Sequence, residues 1–284
     1  MPITFNQDST SECEFSEWKI SKKSRAKLIE VIAYLYLRQE ENAQRVINAL
    51  EPQRRVSKGR VAENVVRKLT APRTEDVELL RSGTEAEKDA ATKRIKTSVL
   101  HRDGLLFQHI SWVAARLELP NSYMTSPHVR QADKGFDGFI IELDESVREI
   151  KRIVLCEDKA SKSPRNLISS SVWPEIGTIR SGDRDDEILA DLVTLLKSVP
   201  NIDAEEAVDE IFWEGAREFR VAVATGEDQR RTGTFLHIIV GFEAVAGGVL
   251  EARTAGVLAF EDVRKGLDLL AGEVAAKVKE IANV

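Results

Sequence analysis

Leu28, Val31, Ile32 and Leu35 recur at helical spacing through SRAKLIEVIAYLYLRQEENAQRVINALE, and Pro52 ends the pattern. RVAENVVRKL predicts a second, shorter helix closed off by Pro72, while RTEDVELLRSGTEAEKDAATKRIKTSVL is more polar, with Gly83 marking a break. Residues 1–100 are therefore expected to form a helical N-terminal section. From His101 the character changes. HRDGLLFQHISWVAARLELP sets Leu106, Ile110, Val113 and Leu117 on one stripe, a helix of about four turns ending before Pro120. DGFIIEL and EIKRIVLCEDK read as strands, and the polar DESV between them suits a hairpin turn. A Ser-rich loop is expected over 161–171. Two helices follow, one carrying Ile188, Leu192 and Leu196 and the next Ala204, Val208 and Ile211. EFRVAVAT is β-branched and uncharged after Arg220, which predicts a short buried strand. TFLHIIVGFEAVAGG fits strand or helix, and an amphipathic helix through Val263, Leu267, Leu270, Val274 and Val278 closes the pattern. The order from residue 101 predicts a mixed α/β domain over 101–284 behind the helical section.

Composition narrows the class. A chain of 284 residues holds one large domain or two modest ones. Cys13 and Cys156 are far apart and lack metal-ligand spacing, so neither a disulfide framework nor a zinc site is expected. No run of about 18 apolar residues exists, and MPITFNQDST has neither a basic nor an apolar leader segment. A soluble cytoplasmic protein without membrane partners is expected. The net charge of −6 argues against an indiscriminate nucleic-acid coat. It leaves room for a nuclease, whose metal-holding carboxylates count toward that total. KISKKSR (19–25) and PQRRVSKGR (52–60) are basic patches that suit phosphate contacts or plain solvated helix faces.

The ends of the two apolar runs carry the chemistry. Charged groups at the end of a buried strand are costly unless water, an ion pair or a metal compensates them. A turn centred on Val147 sets Asp137 across the ladder from Glu157, each ten residues from the centre. Cβ atoms in such a pair lie about 4.5–5.5 Å apart. Strand alternation puts Leu155, Glu157 and Lys159 on one face and Val154, Cys156 and Asp158 on the other. Two ionised carboxylates that close repel, and a hard divalent cation resolves the conflict. An ammonium group alongside would orient an attacking water or neutralise charge developing on a phosphate.

Asp137, followed by Glu157-Asp158-Lys159 at the foot of an apolar strand, resembles the PD-(D/E)XK nuclease superfamily. The resemblance covers residues 101–225. It implies a restriction-endonuclease-like mixed sheet flanked by helices, with Asp137 and Glu157 as metal ligands and Lys159 as the catalytic lysine. It also implies Mg²⁺, or Mn²⁺ in its place, as cofactor and DNA as substrate. Many members add an acidic residue on the helix before the first strand; Gln108, Glu118 and, on an earlier helix, Glu63 are the candidates here. Phe136 stands where the family pattern has proline. Lys162 and Arg165, in ASKSPRN, are placed to meet a phosphate backbone or to lie in an ordinary solvated loop. A helical section joined to such a core is similar to prokaryotic anti-phage nucleases, among them the Hachiman nuclease subunit, and to type II restriction enzymes. That likeness implies a helicase or other defence protein as partner, and a homodimer would suit cutting of both strands.

The competing reading is a catalytically inactive scaffold, a partner-binding subunit in which Glu157 and Lys159 form an ion pair and Asp137-Gly138 is turn chemistry. His109 and His237 are expected to be core histidines, and His128 stands shortly before the candidate site. Ser169, Ser170 and Ser171 lack the glycines of a nucleophile elbow, and no Walker A sequence occurs. Trp173 suits core packing or stacking on a base.

Overall fold

The computed structural model describes residues 1–55, 59–129, 137–143, 150–200, 202–213 and 217–283. Phe136 and the expected hairpin turn lie outside the described residues. The strands are β1 (Thr4–Ser9), β2 (Glu14–Lys19), β3 (Tyr123–Met124), β4 (Gly138–Leu143), β5 (Ile150–Ala160), β6 (Arg217–Gly226) and β7 (Arg253–Phe260). Among the described residues they form one mixed sheet in the order β1-β2-β7-β6-β5-β4-β3. The centre, β2, β7, β6 and β5, is parallel, and an antiparallel strand or hairpin closes each edge.

The helices are α1 (Lys22–Tyr36), α2 (Glu40–Ile47), α3 (Val61–Leu69), α4 (Thr74–Ser82), α5 (Glu85–Glu118), α6 (Pro164–Leu167), α7 (Trp173–Arg180), α8 (Asp185–Leu196), α9 (Ala204–Trp213), α10 (Phe242–Ala246) and α11 (Val263–Ala282). They cover both faces of the sheet, which is what a parallel centre requires. On one face Leu28, Ile32, Leu106, Ile110, Leu267 and Val274 pack with Val154, Cys156, Ala222 and Leu258 of the sheet. On the other, Ile168, Trp173, Ile188, Leu192 and Phe242 pack with Ile153, Leu155, Val221 and Val223. Successive residues of β5 and β6 therefore enter opposite cores. Each buried aliphatic side chain contributes roughly 1.5–3 kcal/mol. Both cysteines are free and buried. Among the described residues no helix is long and apolar enough to cross a membrane.

Residues 1–100 are not uniformly helical. They begin with the β1–β2 hairpin, and β2 joins β7 in the same sheet. In EFSEWK, Phe15 enters one core and Trp18 the other. Its alternation therefore has no polar face to mark it. The expected first helix is broken in two at Arg38, whose φ of 58° is left-handed. There the amide of Gln39 donates to the carbonyl of Tyr34, a Schellman-type closure made without glycine. The change at His101 lies inside α5, one helix of 34 residues. The polar first half of α5 packs on α4 through Arg94 and Asp76, 2.7 Å apart, and the second half enters the core. β7 carried no expectation, and Gly256 with two alanines explains its weak strand signature. The expected Ser-rich loop is helical instead: α6, a π-helical turn at Ile168–Val172, and α7 run on continuously. The Ser169 and Ser170 hydroxyls bond back to the Asn166 carbonyl, 3.2 and 2.7 Å away. The ambiguous segment becomes a 3-10 turn at Leu236–Ile238 and the short α10, divided by Gly241 at φ 90°.

Candidate functional site

The β4–β5 ladder pairs Gly138 with Cys156, Phe139 with Leu155 and Ile141 with Ile153. That register continues to Asp137 opposite Glu157. The amide of Asp137 donates to the carbonyl of Cys156 at 3.2 Å, and the amide of Asp158 donates to Asp137 Oδ2 at 2.7 Å. Asp137 thus stands immediately before β4 with its carboxylate turned across the end of the hairpin. Lys159 Nζ lies 3.2 Å from Asp137 Oδ2 and 2.5 Å from Glu157 Oε2. Asp137, Glu157 and Lys159 converge at the carboxyl end of a parallel strand, the position where open α/β sheets offer a ligand crevice.

Burial decides the electrostatics. Glu157 is 3% exposed, and its Oε1 has no hydrogen-bond partner. Desolvation, reinforced by the Asp137 charge, holds the Glu157 carboxyl well above the usual carboxylate range despite Lys159. Burial pulls Lys159 down, but the carboxylates of Asp137 and Glu157 more than offset it, so its pKa is raised and it stays an ammonium. Asp158 faces the other core. It accepts from Ser111 Oγ at 2.5 Å, and Ser111 in turn accepts from Arg220 Nη1 at 2.7 Å. Burial raises the Asp158 carboxyl against the opposing charge of Arg220.

The helix before the hairpin reaches this point. Gln108 Nε2 on α5 donates to Asp137 Oδ1, and Gln108 Oε1 is buried without a partner. Of the three candidates for a further ligand, Gln108 meets the site. Glu118 lies about 15 Å further along the helix, 3.8 Å from Arg220 Nη2 on the wall of a separate cavity of about 300 Å³. Glu63 is exposed on α3 and pairs with Arg60 at 2.7 Å. Among the described residues no group of three or more His, Cys, Asp or Glu side chains could hold a metal ion. The oxygen donors here are two carboxylates and one amide. An unpartnered buried carboxylate oxygen and an unpartnered amide oxygen beside Asp137 fit a hard cation, and Asp137, Glu157 and Gln108 would hold it. A cavity of about 20 Å³ lined by Gln108, Ser111, Asp137, Asp158 and Arg220 has room for about one water.

The remaining sequence candidates lie elsewhere. Lys162 is exposed, 3.6 Å from Asp262. Arg165 sits on α6 and donates to the carbonyls of Ile238 and Val240, fastening the 3-10 turn. Trp173 stacks on Phe242 with ring centroids 5.0 Å apart and donates to Val240, so it is a packing residue. His109 is fully buried and stacked on Tyr36. His237 is half-buried in the 3-10 turn, and His128 is half-buried in the segment before the site. Ser111 and Arg220 were missed from sequence. The lone arginine inside EFRVAVAT was the available signal, since a charge in a buried strand needs a buried partner. Comparison with known proteins finds no matching family model and no matching curated protein.

Proposed function

We propose that this protein is a metal-dependent endonuclease hydrolysing DNA phosphodiester bonds, built on a restriction-endonuclease-like core. The observation that carries this reading is Glu157 Oε1, a buried carboxylate oxygen with no partner, facing a second carboxylate and a lysine. Leaving such an atom unsatisfied costs about 1–3 kcal/mol, a cost that a bound cation removes. The order α5, β3, β4, β5, α6 to α9, β6 supports the core assignment.

Asp137 and Glu157 would hold the cation in this scheme, and the unpartnered Gln108 Oε1 would be a further oxygen donor beside them. A bound Mg²⁺ or Mn²⁺ supplies Lewis acidity and a more acidic water. The Asp158 amide and Gln108 fix the Asp137 carboxylate in place. Lys159, an ammonium beside both carboxylates, would place positive charge where a phosphate under attack gathers negative charge. Action in anti-phage defence or restriction, under control of a helicase or another partner, completes the proposal.

Supercoiled plasmid tests it. The parent protein is expected to nick or linearise plasmid with Mg²⁺ or Mn²⁺ and not with chelator. Glu157→Ala and Lys159→Ala are expected to lose activity by about 10²–10³-fold with unchanged far-UV circular dichroism. Parent-like cutting by the double variant would overturn the assignment.

One observation favours a scaffold instead: Lys159 already pairs with both carboxylates within the chain. Calorimetry separates the two readings. Mn²⁺ binding that disappears in Asp137→Asn supports the nuclease, and absence of binding to the parent supports the scaffold.

A further inference from the structure

The cis Ala71–Pro72 peptide turns the chain between α3 and α4. Beside this turn is a pocket of about 180 Å³ lined by Arg67, Lys68, Thr70, Ala71, Arg73 and Ser98. Three of its walls are cations and two are hydroxyls, and among the described lining residues there is no carboxylate. Arg67 uses Nη2 on the Asn64 amide oxygen at 2.9 Å, leaving the rest of its fork unassigned. Among the described residues the Arg73 guanidinium makes no hydrogen bond or ion pair; only its backbone carbonyl is engaged, by the amide of Val77. Lys68 gives one proton to the carbonyl of Val129 and keeps its other donors. Burial lowers the Lys68 pKa, and the like charges of Arg67 and Arg38 lower it further. The two hydroxyls donate to the helix carbonyls of Val66 and Ile95, both at 2.9 Å, so the contacts to an anion fall to the three cations. The adjoining hollow shares Arg67, Thr70 and Arg73 with this pocket and adds Lys279, Glu75 and Glu63, the last engaged by Arg60.

We propose that this pocket binds a phosphate group. Mutual repulsion of cations with no carboxylate between them is relieved by an anion, and guanidinium forks match phosphate oxygens in pairs. At about 30 Å³ for each water, the pocket takes the place of roughly six waters. Lys68 and Arg38 also fasten the segment leading to Asp137, through the carbonyls of Val129 and Pro127. On the nuclease reading, the phosphate is a backbone phosphate of the DNA, anchored by the N-terminal helices while Asp137 and Glu157 meet the scissile bond.

The test uses the full chain in chelator, so that cleavage plays no part. Binding of a labelled DNA duplex is followed by anisotropy across a salt series, and binding of inorganic phosphate by ³¹P line broadening. Arg67→Ala/Arg73→Ala changes exposed residues, and Lys151→Ala/Lys197→Ala removes equal charge elsewhere. The pocket variant is expected to weaken duplex binding about tenfold and to reduce the salt slope by about 0.9, for the one backbone phosphate it neutralises; the control pair is expected to do neither. Loss of phosphate broadening with unchanged duplex binding assigns the pocket to a free phosphate ligand and overturns the anchor role. No change in either measurement overturns the proposal. Duplex binding in chelator reports the pocket, and plasmid cleavage with metal reports Asp137, Glu157 and Lys159, so failure of the anchor and failure of the catalytic assignment read out in different measurements.

Discussion

His109 shows how one residue can resemble a functional group and serve packing. Its ring lies 3.8 Å from Tyr36 at an interplanar angle of 9°. Nδ1 is 2.7 Å from the carbonyl of Leu105, so it carries the proton, and Nε2 is buried without a partner. Burial, only partly opposed by the Leu105 carbonyl, drives its pKa down to about 3. The folded protein therefore keeps the ring neutral while the unfolded chain takes up a proton below about 6.5. Its contribution is present above that value and is lost as pH falls, by up to about 1.4 kcal/mol for each pH unit. His109→Phe, which keeps the stack, is expected to flatten the pH dependence of urea unfolding between pH 6.5 and 4.5. An unchanged slope would show that the ring is charged in the folded state. Glu157 is the opposite case, a carboxyl whose partnerless oxygen has no packing role.

At the scale of elements, strand β7 depends on the absence of a side chain. A Cβ at Gly256 would lie 2.2 Å from Cζ2 of Trp18, whose indole crosses β7 and meets Arg220 at 5.1 Å. Gly256→Ala is expected to cost about 1–3 kcal/mol through overpacking. Trp18→Leu alone opens a cavity. Combined with Gly256→Ala it is expected to cost less than the sum of the two, because the new methyl fills part of that space. Additive denaturation midpoints would show that the two residues do not press on each other. The same dependence on neighbours explains the expectations that failed. β2 and β7 are read as strands only when they are side by side, and α5 crosses His101 because α4 covers its polar half.

For the whole molecule, one buried network ties the N-terminal section to the sheet. Arg102 and Asp103 on α5 are almost wholly buried. Asp103 accepts from Arg102 at 2.8 Å and from Arg264 of α11 at 2.6 Å. Arg102 also reaches the Ala71 carbonyl at 2.8 Å, and Arg264 the Ala160 carbonyl at 3.3 Å, one residue beyond Lys159. Arg102 keeps a second carboxylate in Asp268, so Asp103→Ala strips Arg264 of its carboxylate and Arg102 of one of two, and is expected to cost about 3 kcal/mol. A thermal or denaturant transition within about 1 kcal/mol of the parent would show that water replaces the carboxylate. Because the network ends on β5, its loss is also expected to loosen the strand end carrying the candidate site.

By itself the sequence determined what local pattern can fix. Helical spacing located α1, α3, α8, α9 and α11, and two apolar runs around a polar turn fixed the β4–β5 ladder and its register. With that register came the meeting of Asp137, Glu157 and Lys159, since the side-chain period of a strand is two. Only the tertiary structure decided the remainder. β1, β2 and β7 are strands because a neighbour supplies their hydrogen bonds, and that condition is not written in their own residues. Gln108 rather than Glu118 meets Asp137 because of how α5 lies on the sheet. Arg67, Lys68, Arg73 and Ser98 become one pocket only when α3 and α5 pack together. Contacts between distant segments depend on packing geometry, and spacing along the chain carries no trace of it.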